Sequence, residues 1–262
     1  MNRVALALLL TACGGSSVST GPRAVPATGQ AAERQAEPEV EWEALNPARG
    51  DQSPRAADLW GDRTGPGASG FLVRFVDGFA SPPHIHNVSY RAVVIGGRVH
   101  NASPDAEERW LPPGSFWTQP RGGAHVTAAR GDTIAYVEID EGPYLVHPTE
   151  QAFDTDERPV ELEPSALPWT DGPAGARVAP LWGQPSGPRG VLVRLAAGGA
   201  VRPTGDGVIR AVVIEGRVAA GGATLEPGGY VEPDGATRLT CGGSACTVYL
   251  RGEGSLELAS RP

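Results

Sequence analysis

The stretch GFASPPHIHNVSYRAVVIGG, residues 78–97, decides how this chain is read. His84 and His86 stand one residue apart at the head of a strand-like run. Side chains alternate faces along a strand, so both imidazoles leave the same face, with Val88 and Tyr90 following on it. Residues 91–95 are nearly all apolar, as a strand packed on both faces requires. Two imidazoles on one rigid strand make half of a metal site. A second stretch, GSFWTQPRGGAH at residues 114–125, brings a third candidate, His125. Trp117 and Gln119 share one parity on the run leading to it. They supply an aromatic wall and an amide to a pocket if that face points inward. Otherwise Trp117 packs between sheets.

Working outward, the chain repeats itself. LWG at 59–61 returns at 181–183, GFLVRF at 70–75 returns as GVLVRL at 190–195, and RAVVIGGRV at 91–99 returns as RAVVIEGRV at 210–218. A spacing of roughly 120 residues is a duplicated domain rather than a solenoid unit. Each half reads as short strands broken by Gly/Pro turns, with 36 glycines and 25 prolines in 262 residues. The expected fold is all-β, two tandem barrels or sandwiches of the jelly-roll type. Helix signals are scarce, with one turn expected over 104–109. The acidic, Pro-containing segment 154–168 reads as the linker.

Duplication lets the chain be compared with itself. Trp60/Trp182, Arg74/Arg194 and Arg91/Arg210 occur in both halves and are assigned to folding. All five histidines fall in the first half. Thr204 and Asp206 stand opposite His84 and His86, Ile209 opposite Tyr90, and Arg238 opposite His125. Arginine cannot serve as the third ligand, so the second half reads as a copy without a metal site. Tyr90 has three readings: a ligand, a hydrogen-bonding group for metal-bound water or substrate, or a core residue. His100 reads either as a group behind the ligands that moves protons or as a loop histidine. Neutral imidazole ligands imply an affinity that falls below about pH 6.5.

The first residues concern the compartment. Asn2-Arg3 is followed by an apolar run, 4–10, too short to span a bilayer. Residues 10–13, Leu-Thr-Ala-Cys, resemble a bacterial lipobox. That resemblance implies a signal peptide over 1–12, acylation of Cys13, and export to a bacterial membrane, on its periplasmic face or at the cell surface. An ordinary secretory signal with an incidental cysteine is the other reading. Residues 13–40 read as a flexible tether. Cys241 and Cys246 flank GGSA, read as a hairpin turn, and are expected to form a disulfide. A formal charge of −8 with no lysine excludes a basic stripe for nucleic acid.

Gly78, His84, His86 and Gly97 fit the first motif of the cupin family, G-x5-H-x-H-x3,4-E-x6-G, with Tyr90 in place of the glutamate. Gly114, Pro120, Gly122 and His125 fit its second, G-x5-P-x-G-x2-H-x3-N, with Ala129 in place of the asparagine. LWGD at 59–62, PPHIHN at 82–87, GSFWTQP at 114–120 and EGPYLV at 141–146 resemble the DUF4437-type cupins. The resemblance implies a bicupin, with a metal-binding domain over 41–160 and a degenerate one over 161–262. It also implies one divalent ion on His84, His86 and His125. Fe(II) is favoured, and Mn, Ni and Zn also suit such ligands. Some cupin dioxygenases use three histidines, so the leading reading is a mononuclear metal enzyme acting on a small molecule, with Tyr90, His100 and Gln119 orienting substrate or moving protons. The alternatives are a non-catalytic metal- or ligand-binding module and a metal that only braces the barrel. A homodimer is compatible with either half.

Overall fold

The computed structural model describes residues 40–183 and 187–259. The signal segment and Cys13 lie outside the described residues. The repeat written in the sequence is a repeat of topology. The first half builds a seven-stranded sheet in the order Glu43–Ala44, Arg55–Trp60, Ser69–Phe75, Val126–Ile139, Tyr90–Ala102, Phe116–Gln119 and Glu161–Leu162. The second half builds a six-stranded sheet in the same order: Thr170–Asp171, Arg177–Gly183, Arg189–Leu195, Cys246–Gly252, Ile209–Glu215 and Tyr230–Val231. A five-stranded sheet, from Ala200–Thr204, Val218–Ala220, Ala223–Leu225, Leu239–Cys241 and Glu257–Ala259, closes the second barrel. His84–His86 pairs with Val146–Pro148 across the mouth of the first.

Alternation along the strands sorts the apolar residues into three cores. Phe71, Val73, Ala92, Val94 and Val137 point into the first barrel. Val191, Val193, Ala211, Val213 and Val248 point into the second. The opposite faces of the same strands, Leu72, Val93, Ile95, Leu192, Val212 and Ile214, meet in a third cluster between the barrels. The apolar runs 91–95 and 210–214 are therefore buried on both faces. The shared glycines have local reasons. Gly97 and Gly216 bend the chain at positive φ, 66° and 73°. A Cβ on Gly70 or Gly190 would lie 2.1 or 2.0 Å from the indole nitrogen of Trp60 or Trp182.

Those indoles also account for the repeated Arg91 and Arg210. Trp60 donates to the Tyr136 hydroxyl at 3.0 Å and Trp182 to the Tyr249 hydroxyl at 2.8 Å. Both tyrosines donate to Glu138, at 3.0 and 2.7 Å. Arg91 of the first half stacks on Trp182 of the second at 3.9 Å, and Arg210 of the second on Trp60 of the first at 4.1 Å. Glu138 and Arg251 occupy equivalent positions, opposite Gly70 and Gly190. They pair at 3.3 Å with side-chain exposures of 1% and 3%. Burial pushes the Glu138 carboxyl above its usual range, while Arg251, Arg91 and the two hydroxyls pull against it.

The structure departs from the sequence reading at three places. Cys241 and Cys246 are joined by a disulfide with Cα atoms 5.5 Å apart. They do not close a hairpin: Leu239–Cys241 belongs to the five-stranded sheet and Cys246–Gly252 to the six-stranded one, so the bond staples two sheets. The linker region supplies a strand, with Leu162 opposite Phe116 and Glu161 opposite Trp117. Residues 104–109 form a turn closed by Ala106 N–H on Ser103 C=O and no helix.

Candidate metal centre

His84 and His86 sit on their short strand with side chains on one face, as alternation dictates. Reciprocal backbone hydrogen bonds of 3.0 Å between His84 and His125 fix the third histidine beside them. One ring nitrogen of each lies within 4.8 Å of those of the other two, the one such group found among the described residues. The ring centroids are 4.2 to 5.2 Å apart.

Each ring is oriented by a backbone carbonyl. The Nδ1–H groups of His84, His86 and His125 donate to Pro82, Leu145 and Gly123, at 2.9, 3.0 and 3.2 Å. A carbonyl can only accept, so the proton is on Nδ1 and each Nε2 presents a lone pair, which in His86 faces the Tyr144 hydroxyl at 3.2 Å. This is how ligating histidines are commonly held. His125 Nε2 is buried with no hydrogen-bond partner. An unpaired buried acceptor costs about 1–3 kcal/mol. A divalent ion shared by the three nitrogens would remove that cost, and neutral imidazole suits such an ion. The donor set therefore fits a metal.

Burial holds the imidazoles neutral. It lowers His84, pushes His86 well below its ordinary value with His125 and His84 adding repulsion, and brings His125 to about 3. A nitrogen that takes no proton at pH 6.5 offers no competition to an ion. Bound metal is therefore expected to stay constant from about pH 8 to the reference histidine value near 6.5 and to fall only below it. Equilibrium dialysis across that range checks this; a midpoint at 6.5 would contradict it. Between pH 6.5 and about 3 the unfolded chain binds more protons than the folded one, so the metal-free fold loses stability as pH falls through that window.

Tyr90 does not take the missing carboxylate's place. Its hydroxyl donates to Asn101 Oδ1 at 3.0 Å, inside the barrel, and burial raises its pKa so that it stays a phenol. Asn101 also accepts from Thr127 at 2.8 Å and donates to Gln119 Oε1 at 3.1 Å. Gln119 Nε2 in turn donates to the Gly123 carbonyl at 3.0 Å, the same oxygen that orients His125. Gln119, expected to face a substrate, is thus fully engaged behind the ligands. His100 lies elsewhere. Its Nδ1 meets the Arg109 backbone at 3.0 Å and its ring packs near Trp110. Register shifts between Val94, Gly96 and Arg98 change the parity after Tyr90, so Asn101 faces inward where simple alternation would put His100.

Tyr144 had no role in the sequence reading. Its ring stacks on His86 at 4.4 Å, and its hydroxyl lies 3.2 Å from His86 Nε2. It lies outside the regular strands, so periodicity could not place it; the only signal was its position within EGPYLV. His84, His86, Tyr90 and Tyr144 border a cavity of about 420 Å³, and His125 lies buried beside the two histidines without lining it. Val73, Phe75, Phe79, Trp117 and Val137 wall it, so Trp117 is both core and pocket lining.

A protein from Nostoc punctiforme, provisionally described as a dioxygenase, has a similar structure: TM-score 0.59, 17% identity, 79% of this chain and 78% of that one. Oxalate decarboxylase of Bacillus subtilis superposes with TM-score 0.52 at 13% identity, over 85% and 77% of the two chains. Vicilin from hazelnut, Corylus avellana, gives 0.53 at 9% identity, over 85% of each. At these identities the likeness is one of fold, and the fold is that of the bicupins. No curated protein matches by sequence. The family model for a domain of unknown function, DUF4437, matches residues 33–259, nearly all of both barrels, and this chain belongs to that family.

Proposed function

We propose that the protein binds one divalent metal ion through His84, His86 and His125 and uses it, as a mononuclear centre of the Fe(II) type, for oxygen-dependent chemistry on a small molecule held in the adjoining cavity. The observation that carries this reading is the convergence of three carbonyl-oriented imidazoles, two of which, His84 and His86, line a cavity, with the His125 Nε2 lone pair unpartnered. Three protein ligands leave coordination positions for exogenous groups, whereas a bracing site is closed. The Nostoc protein of similar fold, provisionally described as a dioxygenase, is in keeping with this reading.

Such an ion supplies Lewis acidity and, as iron, reactivity toward O2. The residues around it do the rest. The Tyr144 hydroxyl, beside His86 Nε2, is placed to donate a hydrogen bond to a group next to the ion. The Asn101–Gln119–Gly123 chain holds the His125 ring in orientation. The apolar walls exclude water and locate an apolar substrate body. The second barrel acts as scaffold. We place the activity outside the cytoplasm, on a chain tethered through Cys13; the lipobox-like start and the Cys241–Cys246 disulfide support that placement.

Nitric oxide tests the centre as a stand-in for O2. Protein loaded anaerobically with Fe(II) is expected to give the high-spin iron–nitrosyl EPR signal. Its absence from iron-loaded protein would mean a closed, bracing site.

A further inference from the structure

The cavity has a charge pattern that the metal ligands alone do not require. Besides the imidazoles, its one ionisable nitrogen group is Arg49, and no aspartate or glutamate lines it. Arg49 sits on the short 3-10 segment Pro47–Gln52, whose start is capped by Asn46 Oδ1 accepting from the Ala48 N–H. Its guanidinium lies 4.8 Å from the centre of the Phe79 ring and gives one hydrogen bond, 3.0 Å, to the Ala80 carbonyl. Those contacts fix it at the cavity wall and leave most of its five N–H donors unused. No carboxylate pairs with it among the described residues. Arg55, Arg98, Arg189 and Arg202 share that lack among the described residues, but only Arg49 lines the cavity.

A second imbalance adds to this. Imidazole ligands bring no negative charge to offset a divalent ion, and the motif position of the carboxylate is filled by Tyr90, whose hydroxyl turns to Asn101. The protein as a whole is acidic, at −8, so the positive character is local to this chamber. Fixed positive groups in an apolar enclosure attract a negatively charged ligand more strongly than they would in water.

We infer that the cavity is built for a small organic acid with an apolar body. One end of the ligand meets the ion, the body lies against Phe75, Phe79 and Trp117, and a carboxylate or equivalent anion pairs with Arg49. This rests on the metal reading above and narrows it to a substrate class.

The test uses the full chain loaded with Co(II), whose thiolate charge-transfer band reports a ligand on the ion. The probes are ω-mercapto acids from mercaptopropionate to mercaptooctanoate, each paired with the neutral alkanethiol of the same length. Titration of the band gives both affinities. In the wild type at least one acid is expected to bind about tenfold tighter than its neutral partner, equivalent to about 1.4 kcal/mol, with the preference shrinking as salt rises. Arg49→Gln should abolish the preference and leave the neutral thiol's affinity unchanged; Arg49→Lys should keep part of it. The neutral thiol also reports whether each variant has folded. Equal affinity for acid and neutral thiol at every length, or a preference that survives Arg49→Gln, overturns the anion assignment alone. A cobalt protein that gives no thiolate band with any probe overturns the metal reading and this inference with it.

Discussion

Glu138→Leu is expected to destabilise the protein by about 3–5 kcal/mol, the usual consequence of removing one partner from a buried ion pair. The substitution takes from Arg251 its buried carboxylate partner, leaving only Asp140 and Glu253, each at 3.0 Å, and leaves the hydroxyls of Tyr136 and Tyr249 without their acceptor. Guanidinium unfolding measures it directly. The double variant Glu138→Leu/Arg251→Leu should recover part of the loss, since an apolar replacement of both partners also removes the cost of burying the guanidinium. A single variant within about 0.5 kcal/mol of wild type, the range of ordinary surface substitutions, would show that the pair does not hold the halves together. The arrangement also says something about the duplication. Glu138 and Arg251 are counterparts, so two copies of the first half joined in this way would set two carboxylates face to face. The difference between the copies favours pairing within one chain.

The second large effect is stabilisation by metal. An ion that binds only the folded state, at a free concentration a thousandfold above its dissociation constant, adds about 4 kcal/mol. For a domain of this size that raises the melting temperature by roughly 10 °C. His86→Ala should melt at the same temperature with and without added metal. His86 is the ligand held from two sides, by the Leu145 carbonyl and the Tyr144 hydroxyl, so its loss also frees Tyr144. An equal metal-induced rise in wild type and His86→Ala would place the ion elsewhere.

Much of this was legible in the sequence because the chain is its own control. The copied RAVVI segments marked the duplication, and the copied Trp60/Trp182, Arg91/Arg210 and Gly70/Gly190 meet between the barrels. Restriction of histidine to one half pointed to His84, His86 and His125, which the fold gathers within 4.8 Å. What escaped was set by features without period. The register shifts after Val94 exchanged His100 for Asn101 on the inner face. Tyr144 reaches the site from irregular chain. Cys241 and Cys246 looked like hairpin partners because local spacing cannot show that adjacent strands enter different sheets. Glu138 is buried on the face of its strand turned away from the first barrel's interior, where the second barrel supplies Tyr249 and Arg251 as partners.

The most direct test is the metal content of purified protein, measured by mass spectrometry beside that of His125→Ala. His125 is the ligand from outside the His84–His86 strand, and its buried Nε2 has no partner within the chain. We expect about one ion per chain in the wild type and almost none in the variant. Equal content in the two proteins would contradict the assignment of the metal to these three imidazoles.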